Sequence, residues 1–236
     1  MEYKINNQLL WLSELFEKNN VRWILDSGSL LSIIREGKFF KGDDIDISVL
    51  REDREKVLGL KKNFENKGFI FAPRLKKNGI SSVAIWTKKE SKFDLPIDLK
   101  FFYKKSNIRW SPSVYSKNAT NKGMKHLLNI AIKMPFYFIH RLFPLESKSY
   151  DIWRKSFNFF FSGQGYWSVP ADFMENTIFL EDTIIRIPKD YKKYLEFRYG
   201  KNWKTPIKKW NYTRSDGAII LENPFKKNKK IKLKNQ

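Results

Sequence analysis

The sequence predicts a mixed α/β fold, a sheet with flanking helices in its first half followed by a helical subregion over residues 122–161. Three observations predict it. Apolar and polar residues alternate over 44–50 and again over 95–103, the two-residue period of half-buried strands. Over residues 5–18 the apolar positions Ile5, Leu9, Leu12 and Phe16 form one helical stripe. Helical spacing returns and dominates from 122 to 161.

Taken in order, 5–18 is an amphipathic helix and 22–26 a strand. Gly28 and Ser29 follow as a turn, and Leu30, Leu31, Ile33 and Ile34 then supply the apolar side of a short helix, for which Ser29 is the expected N-cap. In strand 44–50, Ile45, Ile47 and Val49 face a core while Asp44 and Asp46 share the other face. Residues 52–66 read as a charged surface helix, and 69–72, 81–87 and 95–103 as strands. Gly163 and Gly165, next to the aromatic run before them, mark a loop. No repeat and no internal linker is visible, so one domain is expected over 1–224, followed by a basic, disordered tail at 225–236.

Composition sets limits. With 236 residues, 42% of them hydrophobic, the chain can bury a substantial core. Zero Cys excludes disulfides and thiolate zinc sites, and two His are too few for a histidine metal cluster. Net charge is +21, which attracts polyanions: nucleic acid, anionic lipid or a phosphorylated donor. Six of the lysines sit in the final stretch, where anionic lipid binding and plain solubilisation are equally consistent. Residues 124–145 are apolar but broken by Lys133, Pro135, His140 and Arg141, so they suit helices packed over the sheet, or an interfacial helix, rather than a membrane span. The N-terminus lacks the pattern of a signal peptide. A cytoplasmic protein is expected, with peripheral contact at the inner face of the membrane left open.

The chemistry concentrates in LDSGSLLSIIREGKFFKGDDIDISV, residues 25–49. Asp44 and Asp46 on one strand face repel each other unless a cation sits between them, and Mg²⁺, held by carboxylates together with substrate phosphates, is the usual answer; Mn²⁺ serves equally. Gly28 and Ser29 at a helix start offer backbone N–H groups and the positive end of the dipole to a phosphate. Arg35 is either a bidentate phosphate contact or a surface charge. Asp26 and Asp43 are candidates for a supporting role around the metal. Taken singly, each piece also fits a turn beside a solvated strand.

Together they resemble the nucleotidyltransferase superfamily and, more narrowly, the LicD and fukutin family. That family carries a Gly-Thr-Leu-Leu-Gly stretch, an Arg and an Asp-Asp-Asp-Ile-Asp run at this spacing. Here Ser29 stands for Thr, Ser32 for the second Gly, Arg35 matches the Arg, and Lys41 and Gly42 replace the customary Trp-Asp. A second match lies at 166–206: Val169-Pro170, Ile187-Pro188, a helix over 191–198, then Tyr199, Gly200, Trp203 and Pro206. The resemblance implies a nucleotidyltransferase-like mixed sheet and a third carboxylate on a neighbouring strand. Asp98 fits, alternating with Ile97 and Leu99; Asp94 is the rival, separated from the strand by Pro96.

The resemblance also implies the reaction: transfer of phosphocholine, ribitol phosphate or glycerol phosphate from a CDP-activated alcohol donor to a sugar hydroxyl of a cell-surface or protein-borne glycan acceptor, with a lipid-linked acceptor left open. Asp44, Asp46 and Asp98 would be both metal ligands and catalytic groups, with Asp98 taking the acceptor's proton, and Gly28, Ser29 and Arg35 would bind the donor. For a choline head group, Trp153, Tyr166, Trp167 and Trp203 are candidates for an aromatic cage, in a chain with 16% aromatic residues. Two other classes stay open: a nucleotidyltransferase adding NMP to RNA or protein, and an inactive binding module with the same fold. Nucleic acid is the disfavoured partner, because no RNA-binding motif is present.

Overall fold

The computed structural model describes residues 3–38, 44–76, 79–87, 95–116, 162–207, 210 and 215–220. The expected helical subregion at 122–161, the apolar stretch 124–145, the tail at 225–236, and Lys41, Gly42, Asp43, Asp94 and Trp153 all lie outside the described residues. The chain divides into two compact units, Met1–Ser111 with Ser168–Pro206, and Pro112–Trp167 with Ile207–Gln236.

In the first unit, helix α1 (Asn7–Lys18) is capped by the Asn6 side chain, which accepts from the N–H of Leu9. Its stripe of Leu9, Leu12 and Phe16 is fully buried. Strand β1 (Trp23–Leu25) leads into α2 (Ser27–Glu36), which stops where Gly37 takes up a left-handed conformation and returns its N–H to the carbonyl of Ile33. Strand β2 (Ile45–Leu50) follows. The helix expected over 52–66 is broken: a 3₁₀ turn (Arg51–Asp53), α3 (Arg54–Gly59) and α4 (Lys61–Asn66) meet at Leu60, immediately after the weak helix former Gly59.

Strands β3 (Phe69–Lys76) and β4 (Gly79–Thr87) form a hairpin, and β5 (Ile97–Lys105) lies between β2 and β4. The order is β1-β2-β5-β4-β3, with β2 and β5 parallel and the other neighbours antiparallel. Strand β6 (Ile108–Ser116), which the sequence did not announce, folds back on the end of β5 through a turn at Ser106 and Asn107. On one face of the sheet Ile45, Ile47, Val49, Ile97, Leu99 and Phe101 are at most 1% exposed, so this face is core. Trp11 of α1 joins Phe64 of α4 and Phe69 of β3 in an aromatic cluster. The opposite face of β2 and β5 carries Asp46, Ser48, Asp98 and Lys100. The alternation thus builds a dry side and a chemical side from the same two strands.

The unit closes with α5 (Asp172–Glu175), the hairpin β8 (Thr177–Phe179) and β9 (Arg186–Pro188), and α6 (Tyr191–Tyr199). Strand β7 (Ser162–Pro170) includes Gly163 and Gly165, where a loop was expected. In the second unit, Tyr166 and Trp167, directly after these glycines, pair antiparallel with β10 (Ile219–Ile220). The whole is a mixed α/β fold with a mixed sheet and flanking helices. Among the described residues, no helix is long and apolar enough to cross a membrane.

Candidate active site

Where β1 ends, Asp26 keeps an extended backbone and its carboxylate accepts a hydrogen bond from the N–H of Ser27. Asp26 is therefore the N-cap of α2, three residues before the expected Ser29, and a carboxylate at the strand end caps the helix as well as a hydroxyl would. Asp26 is 2% exposed and heavily bonded. Ser48 and Tyr194 donate their hydroxyls to it, and Arg198 Nη1 lies 2.6 Å from its Oδ1. Arg198 also donates to the hydroxyl of Ser27, a residue at φ 50°, uncommon for a side chain bearing a Cβ. A network from α6 thus fixes the first turn of α2.

Ser29 lies in that turn, fully buried. Its hydroxyl donates to the carbonyl of Asp44 at 2.8 Å and accepts from the N–H of Asp46 at 2.9 Å. That hydroxyl stitches α2 to β2, leaving any anion contact to the backbone of the turn. Gly28 is closer to the acids: a Cβ added there would stand 4.0 Å from Asp46 Oδ2. The start of α2 therefore lies against the carboxylate.

Across the parallel pair, Asp46 is in register with Asp98, and Ala84 of β4 flanks Asp98 on the other side. Two residues further along β5, on the same face, Lys100 places Nζ 2.6 Å from Asp46 Oδ1 and 3.4 Å from Asp98 Oδ2. Arg74 Nη1 is 3.5 Å from Asp98 Oδ1. Asp44, just before β2, is exposed, yet near enough for its charge to act on Asp46.

The electrostatics follow from this crowding. Burial pushes the Asp46 carboxyl up; Lys100 opposes this, Asp44 and Asp98 add to it, and the result is a pKa of about 6. Lys100 is raised: burial acts to lower it but is outweighed by Asp46, Asp98 and Asp26 together. Asp26 is lowered despite its burial, because Arg198, Lys100 and the donated hydroxyls favour the anion.

Among the described residues, no three Asp, Glu, His or Cys side chains are gathered closely enough to hold a metal ion as they stand. The donor set nonetheless fits a hard cation in its chemistry. Asp46 and Asp98 stand in register on neighbouring strands, Asp44 adds charge, and even with Lys100 present burial and the neighbouring acids hold the Asp46 carboxyl above the ordinary range, so further positive charge would stabilise its anion. The ammonium of Lys100 now occupies the space between the two carboxylates.

The structure brings Gly28, Asp46 and Asp98 together, with Asp44 at the margin. Seven residues beyond Gly28, about 10 Å along the helix, Arg35 bonds Glu36 and the carbonyl of Trp203. It holds the segment bearing the Tyr-Gly-Trp-Pro signature. Trp203 itself is 8% exposed and packs in the first unit. Sequence reasoning missed Lys100 as a partner of the acids, although the strand period puts it on the face of Asp98. It also missed Tyr194 and Arg198, one helical turn apart within the second matching region.

No curated protein matches the chain significantly. Residues 20–146 match the family described as LicD/FKTN/FKRP, nucleotidyltransferase domain. This span carries β1, α2, β2 and β5, and with them Gly28, Asp44, Asp46, Asp98 and Lys100, whereas Tyr194, Arg198 and the closing signature fall beyond it. The match covers more than half of the sequence and includes the strand pair that sets the acids opposite each other: the chain belongs to the LicD/FKTN/FKRP family, a membership that points to a transferase acting on phosphosugars or phosphoalcohols.

Proposed function

We propose that the chain transfers a phosphorylated alcohol, namely phosphocholine, ribitol phosphate or glycerol phosphate, from its CDP-activated form to a glycan hydroxyl, releasing CMP. The observation that carries this reading is the register of Asp46 opposite Asp98 beside the first turn of α2. Phosphoryl transfer needs positioning and charge neutralisation more than covalent help from the protein.

Asp44, Asp46 and Asp98 would hold Mg²⁺ or Mn²⁺, which when bound supplies charge neutralisation at the transferring and leaving oxygens. The backbone of Gly28 and Ser29, at the positive end of α2, takes a donor phosphate. Arg198 has a part in this. An N-capping carboxylate would repel that phosphate, and the guanidinium on Asp26 cancels the charge. Of the two acids in register, Asp98, with 24% of its side chain exposed against 13% for Asp46, is the better placed to take the acceptor's proton.

The test is CMP release from CDP-choline, CDP-ribitol and CDP-glycerol with Mg²⁺, beside an Asp46→Asn control. Release from one donor, reduced about 10²-fold or more in the control, supports the proposal. Consumption of ATP or CTP with every CDP-alcohol ignored would establish a nucleotidyltransferase instead, and inertness towards all of them a binding module.

A further inference from the structure

Lys100 does not behave as a surface lysine. Its side chain is 12% exposed, and the strand fixes its origin: Lys100 is in register with Ser48, whose hydroxyl is committed to Asp26, and one same-face step from Asp98. From there the ammonium bridges Asp46 and Asp98 at 2.6 and 3.4 Å. Active sites that run phosphoryl chemistry with two metal ions hold them about 3.5–4 Å apart between shared acids. Here a tethered cation lies between two of the three acids.

The charges around it agree. Arg198 answers Asp26, Arg74 lies at Asp98, and Lys100 spans Asp98 and Asp46. Among the described residues of the cluster, the four carboxylates Asp26, Asp44, Asp46 and Asp98 face three cationic side chains. One divalent cation more than balances the excess. In the donor-free cluster a second would leave a strong positive excess, and it would have to displace Lys100 from both carboxylates.

We infer that Lys100 is a built-in cation that takes the place of one ion of a metal pair, so that this site binds a single divalent cation. The inference rests on the proposed metal-dependent transfer and deepens it. Asp46 and Asp98 share one side with the ammonium; Asp46 would turn its Oδ2, and Asp98 the Oδ1 that Arg74 approaches at 3.5 Å, with Asp44, to the one ion. Lys100 thereby positions the acids and sets how many ions they accept.

The experiment is Mn²⁺ titration of the full chain, followed by electron paramagnetic resonance, with Lys100→Met and Lys100→Gln alongside. One ion per wild-type chain and two per Lys100→Met chain are expected. Two ions in the wild type, or the same number in wild type and both variants, overturns the inference while leaving a metal-dependent transferase standing. No ion in any chain overturns it together with the metal part of the proposed function, and CMP release then reports on the rest. Should the variants unfold without metal because Asp46 and Asp98 repel, circular dichroism against Mn²⁺ decides. Refolding that requires two ions supports the inference, and failure of Mn²⁺ to refold either variant overturns it.

Discussion

Asp26 and Arg198 form a buried ion pair at 2.6 Å, their side chains 3% and 1% exposed, across 172 positions of sequence. It joins the N-cap of α2 to the last helix of the first unit. Removing one member of a buried pair strands the other charge, which costs about 3–5 kcal/mol, whereas replacing both with apolar or neutral groups costs much less. Arg198→Met is therefore expected to be severely destabilised in urea. Combining it with Asp26→Asn should recover part of the loss, and strictly additive losses in the double variant would refute the pairing.

Asp53 makes a comparable prediction against pH. Its side chain is 3% exposed; burial acts to raise its carboxyl, but the hydrogen bonds from Arg22 and Lys56 prevail and hold it at about 2. A folded-state value below the ordinary one of about 3.9 means stability that is present above pH 4 and lost as pH falls through 2. Asp53→Asn should cost about 2 kcal/mol at pH 7, and the gap should narrow on acidification towards pH 2. A gap independent of pH would assign the loss to packing.

Asp46 works in the opposite sense. Its carboxyl is raised to about 6, so the stability it contributes to the fold is full below about pH 4 and lost as pH rises through 6. Against Asp46→Asn, the wild type should lose ground in urea over that window. Cation binding needs the ionised form and so runs the other way. Mn²⁺ affinity should weaken by up to about tenfold per pH unit below 6, and a flat titration between pH 5 and 7 would remove Asp46 from the ligand set.

The parts legible in the sequence are those written in short-range pattern. Ile45, Ile47 and Val49 against Asp46 gave the face of β2, and Ile97 and Leu99 gave that of β5. Whether the two strands were neighbours, and in which register, no period could say. Alternation put Lys100 on the face of Asp98 but says nothing of how far an ammonium reaches, so the bridge to Asp46 needed coordinates. Arg198 sits in plain view on α6, yet its partner lies near the other end of the chain. β6 was hidden because its turn uses Ser106 at φ 52° and Asn107 rather than a glycine. At β7 the glycines misled, because the strand begins at Ser162 and runs through both of them to Pro170, so their local loop signal did not decide the backbone.

Gly28 separates stability from function. It is not among the glycines at positive φ, so alanine fits its backbone, and Gly→Ala within a helix gains up to about 1 kcal/mol. In a chain of this size that is about 2–4 °C in Tm. The added Cβ would stand 4.0 Å from Asp46 Oδ2, an ordinary contact for folding but one that fills the space between the helix start and the acid. If a donor phosphate uses that space, Gly28→Ala should melt higher than wild type and yet show a KM for the CDP-alcohol raised at least several-fold. Thermal scans and CMP release on one preparation measure both. A variant that is more stable and binds its donor unchanged would show that the phosphate lies elsewhere, because no loss of fold could then account for the result.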